Sequence, residues 1–173
     1  MNSPRDLRAD RVSARGFAAL VVLACTAPMA AAETSCADLT GMAIPAGAIG
    51  LPTTGAAVTS ATVVPAAGTG AAFVAEYCRV SGRISPVDPT APNILFRVAL
   101  PTSWNQKALM YGGGGFDGSI PNVAGNVPAG ATDKALPVTR GYAVFASDSG
   151  HQAGASGSLD GTFGANDEAL ANW

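Results

Sequence analysis

The residues with the most chemical content are four consecutive glycines. Gly112, Gly113, Gly114 and Gly115 follow the short apolar β-type run Lys107–Tyr111 and precede Phe116-Asp117-Gly118. Ordering four glycines carries a large backbone-entropy cost. A folded protein tolerates that cost where its backbone must come close to a ligand or adopt a positive φ. Backbone N–H groups presented in this way can stabilise negative charge that builds on a ligand oxygen during a reaction. One such donor is typically worth about 2.7–4 kcal/mol of barrier. A flexible turn without chemistry accounts for the same four residues, and this segment alone does not separate the two readings.

A second group of reactive side chains, Ser147-Asp148-Ser149-Gly150-His151, closes the apolar run Tyr142–Ala146. His151 is the only histidine. A Ser–His pair would need a third group to orient the ring and a serine held on a strained turn. Ser147 and Ser149 are too close to His151 along the chain for that geometry. Asp148 and His151 are therefore read as structural residues at a strand end, bonding the glycine loops. Tyr111, Phe116 and Trp104 suit either contact with an aromatic acyl group or a place in the core.

These loops need strands to hold them. Tyr77–Ile84 is rich in β-formers and stops at Ser85-Pro86, with Asp88-Pro89 and Ala91-Pro92 as further breakers. Asn93–Leu100 follows as a second strand, with Ile94, Phe96 and Val98 on one face by the two-residue period. The Pro-rich linker between them predicts an antiparallel hairpin. Trp104-Asn105 marks a turn, and Ala108–Tyr111 is a third short strand leading into the glycines. A short helix is expected around Asp133–Arg140, although Pro137 weakens it. Tyr142–Ala146 is a continuous apolar run, as expected for the buried centre of a parallel sheet. Gly154–Gly164 is expected to stay exposed, and Asn166 or Asp167 caps a final helix. The chain stops inside that helix, which reads as a fragment and not a complete domain.

Arg5, Arg8, Arg11 and Arg15 precede the apolar run Phe17–Cys25, and Ala30-Ala31-Ala32 fits a cleavage site before Glu33. Residues 1–32 thus read as a signal peptide, and the protein as secreted or periplasmic. The apolar run falls short of the roughly 20 residues that cross a bilayer, so no stable membrane anchor is expected. Residues 1–32 hold four of the ten basic and two of the twelve acidic residues. The remaining 141 residues therefore carry six basic and ten acidic ones, a net charge of −4. No basic cluster survives, which argues against nucleic acid or an anionic membrane as partner. Cys36 and Cys78 remain in an exported, oxidising setting. A disulfide is the natural reading there, and two free thiols are the alternative. Residues 33–72, rich in Ala, Gly, Thr and Pro, read as an irregular or short-stranded lead, or a loose arm, ahead of the recognisable sheet of 73–173.

Taken together, these segments resemble the tannase and feruloyl esterase family of α/β-hydrolases. The resemblance is carried by Cys78-Arg79-Val80-Ser81-Gly82, Phe96–Pro101, Trp104-Asn105, Gly112–Gly118, Arg140–Ala143 and Ser147–His151. Asp167-Glu168-Ala169 and Asn172-Trp173 extend it. It implies an α/β fold class: the N-terminal part of an α/β-hydrolase sheet, antiparallel lead-in strands followed by parallel strands, incomplete as a domain. It also implies a disulfide between Cys36 and Cys78, and an oxyanion-hole backbone N–H at Gly112. The chain departs from the family in lacking its Gly-Cys-Ser-x-Gly elbow and the later Asp and His of the triad. Gly154-Ala155-Ser156-Gly157-Ser158 lacks a glycine at the required offset and sits in a polar loop, so it is a chance near-match. The family's calcium-binding lid would lie beyond Trp173, so calcium is implied only for that lid and no metal site is expected here. The expected function is that of an N-terminal fragment of a secreted serine hydrolase acting on small aromatic or phenolic esters, inactive by itself. The alternative is a small exported β-rich binding module whose Gly-rich loops take a sugar or peptide.

Overall fold

The computed structural model describes residues 34–173, and the expected signal peptide, 1–32, lies outside the described residues. Among the described residues are six strands: β1 (Ala43–Ile44), β2 (Gly55–Val64), β3 (Tyr77–Ser85), β4 (Ile94–Pro101), β5 (Ala108–Met110) and β6 (Ala143–Ser147). They form one mixed sheet in the order β1-β2-β3-β4-β6-β5. β3 and β4 make the expected antiparallel hairpin, with Val80 opposite Val98 and Cys78 opposite Leu100. Their connection carries Pro86, Pro89 and Pro92, none of which has an N–H to give to a ladder, so the chain turns there. β4 pairs antiparallel with β6, and β6 pairs parallel with β5.

Alternation along the strands assigns side chains to two faces. On one, Tyr77, Ala99, Val144 and Ala146 are buried beneath Val123, Ala124, Leu136 and Val138 of the long connection between β5 and β6. Each large aliphatic side chain buried there is worth about 1.5–3 kcal/mol. On the other face, Val80 and Val98 pack with Val58 and Ala61 of β2 under Cys36 and Leu39. Nearer β5, that same face opens into an apolar groove of about 560 Å³, lined by Phe96, Val98, Met110, Phe145 and Trp173 among others.

Several expectations need correction. Residues 34–72, expected to be irregular, short-stranded or a loose arm, hold the two-residue β1 and also the ten-residue β2. A register shift between Val58 and Ser60 breaks the alternation of β2, and half of its residues are Gly, Ala or Ser. No helix forms over Asp133–Arg140. Pro137 has no N–H to donate, and the segment closes as a turn in which Arg140 N–H donates to Leu136 O and Gly141 N–H to Val138 O. β6 is not the centre of a parallel sheet, since it lies between antiparallel β4 and parallel β5. Val144 and Ala146 are buried, but Phe145 is 38% exposed on the groove face. The loop Gly154–Gly164 is mainly exposed, as expected, yet it turns Phe163 inward. The final helix α1 (Asp167–Asn172) is capped by Asn166, whose side chain accepts the Ala169 N–H at 2.8 Å. Glu168 accepts the N–H groups of Val87 and Asp88 and so ties α1 to the β3–β4 connection.

Cys36 and Cys78 are joined by a disulfide, with Cα atoms 5.7 Å apart and a sequence separation of 42. Closing a loop of that size contributes about 4 kcal/mol in the chain-entropy model. Peptide mapping without reductant should recover the linked pair, and reduction should lower Tm by roughly 10 °C. Freely alkylated thiols in exported material would contradict the bond. Amide exchange should be slowest in β4 and β6, where Ala99 and Val144 are fully buried, and fast across 154–160.

Candidate active site

The parallel pairing of β5 and β6 sets Ala108 opposite Ala143, Leu109 opposite Val144 and Met110 opposite Phe145. Tyr111 N–H continues the pairing by donating to Phe145 O at 2.8 Å. Both strands therefore release their chains at the same end of the sheet. The glycine loop 112–118 and the loop 147–151 emerge there side by side. Ligands of open α/β sheets bind at such carboxyl ends.

The four glycines are not equivalent. A Cβ at Gly112 or Gly114 would meet nothing within 4 Å. A Cβ at Gly113 would run into the carboxylate of Asp117, and one at Gly115 into Ser158 O. Gly115 also has φ +62°, a conformation that glycine adopts without steric cost. Phe116 N–H donates to Ser158 O at 2.7 Å and Asp117 N–H to Gly114 O at 3.0 Å, which fixes the far side of the loop. No hydrogen bond among the described residues uses the N–H groups of Gly112, Gly113, Gly114 or Gly115. Unpaired amide donors at a strand end suit a carbonyl oxygen or an anion.

Asp148 is 2% exposed and acts structurally, as expected. Its Oδ1 accepts the N–H of Leu95 at 2.9 Å and of Gly150 at 3.1 Å, while Oδ2 accepts Gln152 Nε2 at 2.6 Å. Those bonds pin the end of β6 to the start of β4. His151 is 4% exposed and stacks on Phe163, with ring centroids 4.3 Å apart. Neither of its nitrogens makes a hydrogen bond among the described residues. Its expected bonds to the glycine loops are replaced by packing: a Cβ at Gly118 would lie 2.6 Å from Nε2. Ser149 Oγ donates to Asp117 Oδ2 at 2.7 Å, and no Ser–His bond is formed. Ser156 stands on an exposed turn.

Of the three aromatics singled out above, only Phe116 is part of the exposed loop at this end of the sheet. It packs edge-on against Phe163 and Trp173 at 6.1 and 5.9 Å, and Trp173 Nε1 donates to Phe116 O. Tyr111 is core, its hydroxyl donating to Gly125 O, and burial pushes its pKa up. Trp104 donates to Lys107 O at the opposite end of β5. Phe163 was not foreseen, because nothing in its Gly-rich surroundings marks it as buried. Among the described residues no group of three or more His, Cys, Asp or Glu is placed to hold a metal. No helix of the described residues is long and apolar enough to cross a membrane.

Residues 78–173, more than half of the chain, match the family described as tannase and feruloyl esterase, and the chain belongs to that family. It is 46% identical over 142 residues to an uncharacterised esterase, Atu5261, of Agrobacterium fabrum, a match covering 80% of this chain and 24% of that protein. It is 37% identical over 84 residues to the mono(2-hydroxyethyl) terephthalate hydrolase of Piscinibacter sakaiensis, covering 47% of this chain and 14% of that protein. Among solved structures, feruloyl esterase B from Aspergillus oryzae is similar over 74% of this chain and 24% of its own, with 18% identity and a TM-score of 0.48. The chain thus spans about a quarter or less of these relatives.

The loop beside the site has its own acid-sensitive clasp. Asp160 accepts Thr162 Oγ1 at 2.7 Å, Gly154 N–H at 2.9 Å and Thr162 N–H at 3.0 Å, and these bonds hold its carboxyl down at about 2. Because that lies below the ordinary 3.8, the clasp is intact above pH 4 and is lost as pH falls toward 2. A carboxyl NMR titration should show Asp160 titrating near 2, and Asp160→Asn should make 154–162 easier to cleave at neutral pH. Asp148→Ala, which leaves the N–H groups of Leu95 and Gly150 unpaired, should cost roughly 2–5 kcal/mol in denaturant melts.

Proposed function

We propose that this chain is the N-terminal part of an exported serine carboxylic-ester hydrolase for small aromatic esters, with the Gly112 N–H as an oxyanion donor. The observation that carries this reading is the placement of Gly112. It directly follows the parallel pair, its N–H is unbonded among the described residues, and the space on its Cβ side is open. Beyond its chain neighbours, no atom stands within 4 Å on that side to obstruct an ester carbonyl. Family membership supports the reaction class, and the relatives' greater length leaves room for the nucleophile, its base and a calcium-holding lid.

In this scheme a serine from the remainder of the longer protein attacks the carbonyl carbon. The carbonyl π pair moves onto oxygen, where the Gly112 N–H helps to hold the developing charge. Collapse expels the alcohol and leaves an acyl-enzyme, which water converts to the carboxylic acid while restoring the serine. Phe116 and Trp173, both partly exposed beside the loop, favour an aromatic acyl group. The arginine-led N-terminal segment and the disulfide support export.

In the full-length enzyme, Gly112→Val should lower kcat on the order of a hundredfold, because the added side chain fills the carbonyl's approach or turns the donor away. The open space around Gly112 means that fold and disulfide should survive, as circular dichroism and thiol titration would show. Unchanged turnover in a folded variant removes Gly112 from the mechanism. The 173-residue chain alone should not hydrolyse methyl gallate or methyl ferulate above background. Its labelling by a serine-directed phosphonate, abolished by changing Ser149 or Ser156, would place the nucleophile here instead.

A further inference from the structure

Asp117 and Ser149 form a cross-loop contact that the proposed reaction does not use. Both are non-glycine residues in the left-handed region, with φ of 63° and 57°. Such conformations cost free energy and persist only where surrounding contacts over-determine them. Ser149, from the loop after β6, donates its hydroxyl to Asp117 Oδ2 at 2.7 Å, a charge-assisted bond between segments 32 residues apart. The other oxygen, Oδ1, is buried without a hydrogen-bond partner among the described residues. It lies so close to Gly113 that no Cβ fits there. Asp148, the residue before Ser149, has donors on both of its oxygens. A half-satisfied carboxylate held by one hydroxyl against a glycine does not serve stability, since buried polar groups are normally paired.

We propose that Ser149 and Asp117 are positioning residues: their bond clamps the carboxylate over Gly113 and thereby fixes the direction of the N–H groups in the glycine loop. The clamp explains why position 113 must be glycine although its φ is ordinary. It also links both loops at the parallel strand ends, so the donor loop is set by β6 as well as by β5. Asp117 acts through its shape and its acceptor oxygen. Its charge contributes nothing favourable beside an oxyanion.

The proposal rests on the esterase reading of the same loop, and its test separates the two. In the full-length protein, Ser149→Gly keeps the left-handed backbone and removes the hydroxyl. It should lower kcat about ten- to hundredfold with KM within about twofold, since donors are misdirected and ground-state binding is untouched. Gly113→Ala, whose methyl lands on the carboxylate, should reproduce that loss. Asp117→Asn keeps an oxygen for Ser149, tolerates the left-handed backbone and removes the charge, so kcat should hold within a few-fold or rise. Exchange of the Phe116 and Asp117 amides, which are hydrogen-bonded in the loop, should accelerate in Ser149→Gly and stay slow in Asp117→Asn. A parent protein without esterase activity sinks the functional reading, and the exchange comparison still decides the clamp. An unchanged kcat in Ser149→Gly overturns the clamp, as does a loss in Asp117→Asn equal to that in Gly113→Ala. If Ser149→Gly does not fold, Asp117→Asn and Gly113→Ala decide the question between them.

Discussion

The parallel pairing of β5 with β6 is only three residues long, yet the geometry of the candidate site depends on it. Two strands that run the same way deliver their following loops to the same end of a sheet. Were β5 antiparallel to β6, the four glycines would emerge beside Gly141, just before the start of β6, far from Ser149 and His151. A parallel neighbour demands a long crossover, here residues 111–142, which contains no regular helix or strand. That crossover is kept ordered by burying Val123, Ala124, Leu136 and Val138 against β4 and β6, and by the Tyr111 hydroxyl on Gly125 O. The same residues that close the core thereby set where the glycine loop begins.

Stability and presentation are handled by different carboxylates in this small region. Asp148 is saturated with donors and anchors backbone to backbone. Asp117 is not saturated and presses on a glycine. His151 contributes its ring face to Phe163 and an edge to Gly118, so a residue type associated with proton transfer works here as a flat spacer. Asp88, at the hairpin connection, shows the ordinary use of such a side chain. Thr90 and Asn166 bond to it, hold its pKa down and tie α1 in place.

The hairpin of β3 and β4 was legible because its β-branched runs end at prolines, which punctuate the backbone whatever the tertiary context. The glycine loop and the Asn166 cap were legible for similar local reasons, and the disulfide because only two cysteines follow the arginine-led segment. β2 was not, since a strand of small residues interrupted by a bulge near Thr59 shows neither hydrophobic contrast nor a clean period of two. The exposure of Phe145 was hidden by the uniform apolarity of its strand, in which only the packing distinguishes one face from the other. The pairing of Ser149 with Asp117 joins residues 32 positions apart, and no local pattern encodes a contact of that range.

The disulfide divides the sheet unevenly. Cys36 precedes β1 and Cys78 is the second residue of β3, so the covalent ring encloses β1 and β2 and leaves β4, β5 and β6 outside. Once the ring is closed, the first three strands search for one another within a loop of fixed length, and β3 offers a formed edge on which β4 and then β6 assemble. Opening the ring restores freedom to the strands farthest from the glycines and adds none directly to the parallel pair. Redox conditions therefore act on the side of the sheet away from the glycine loop.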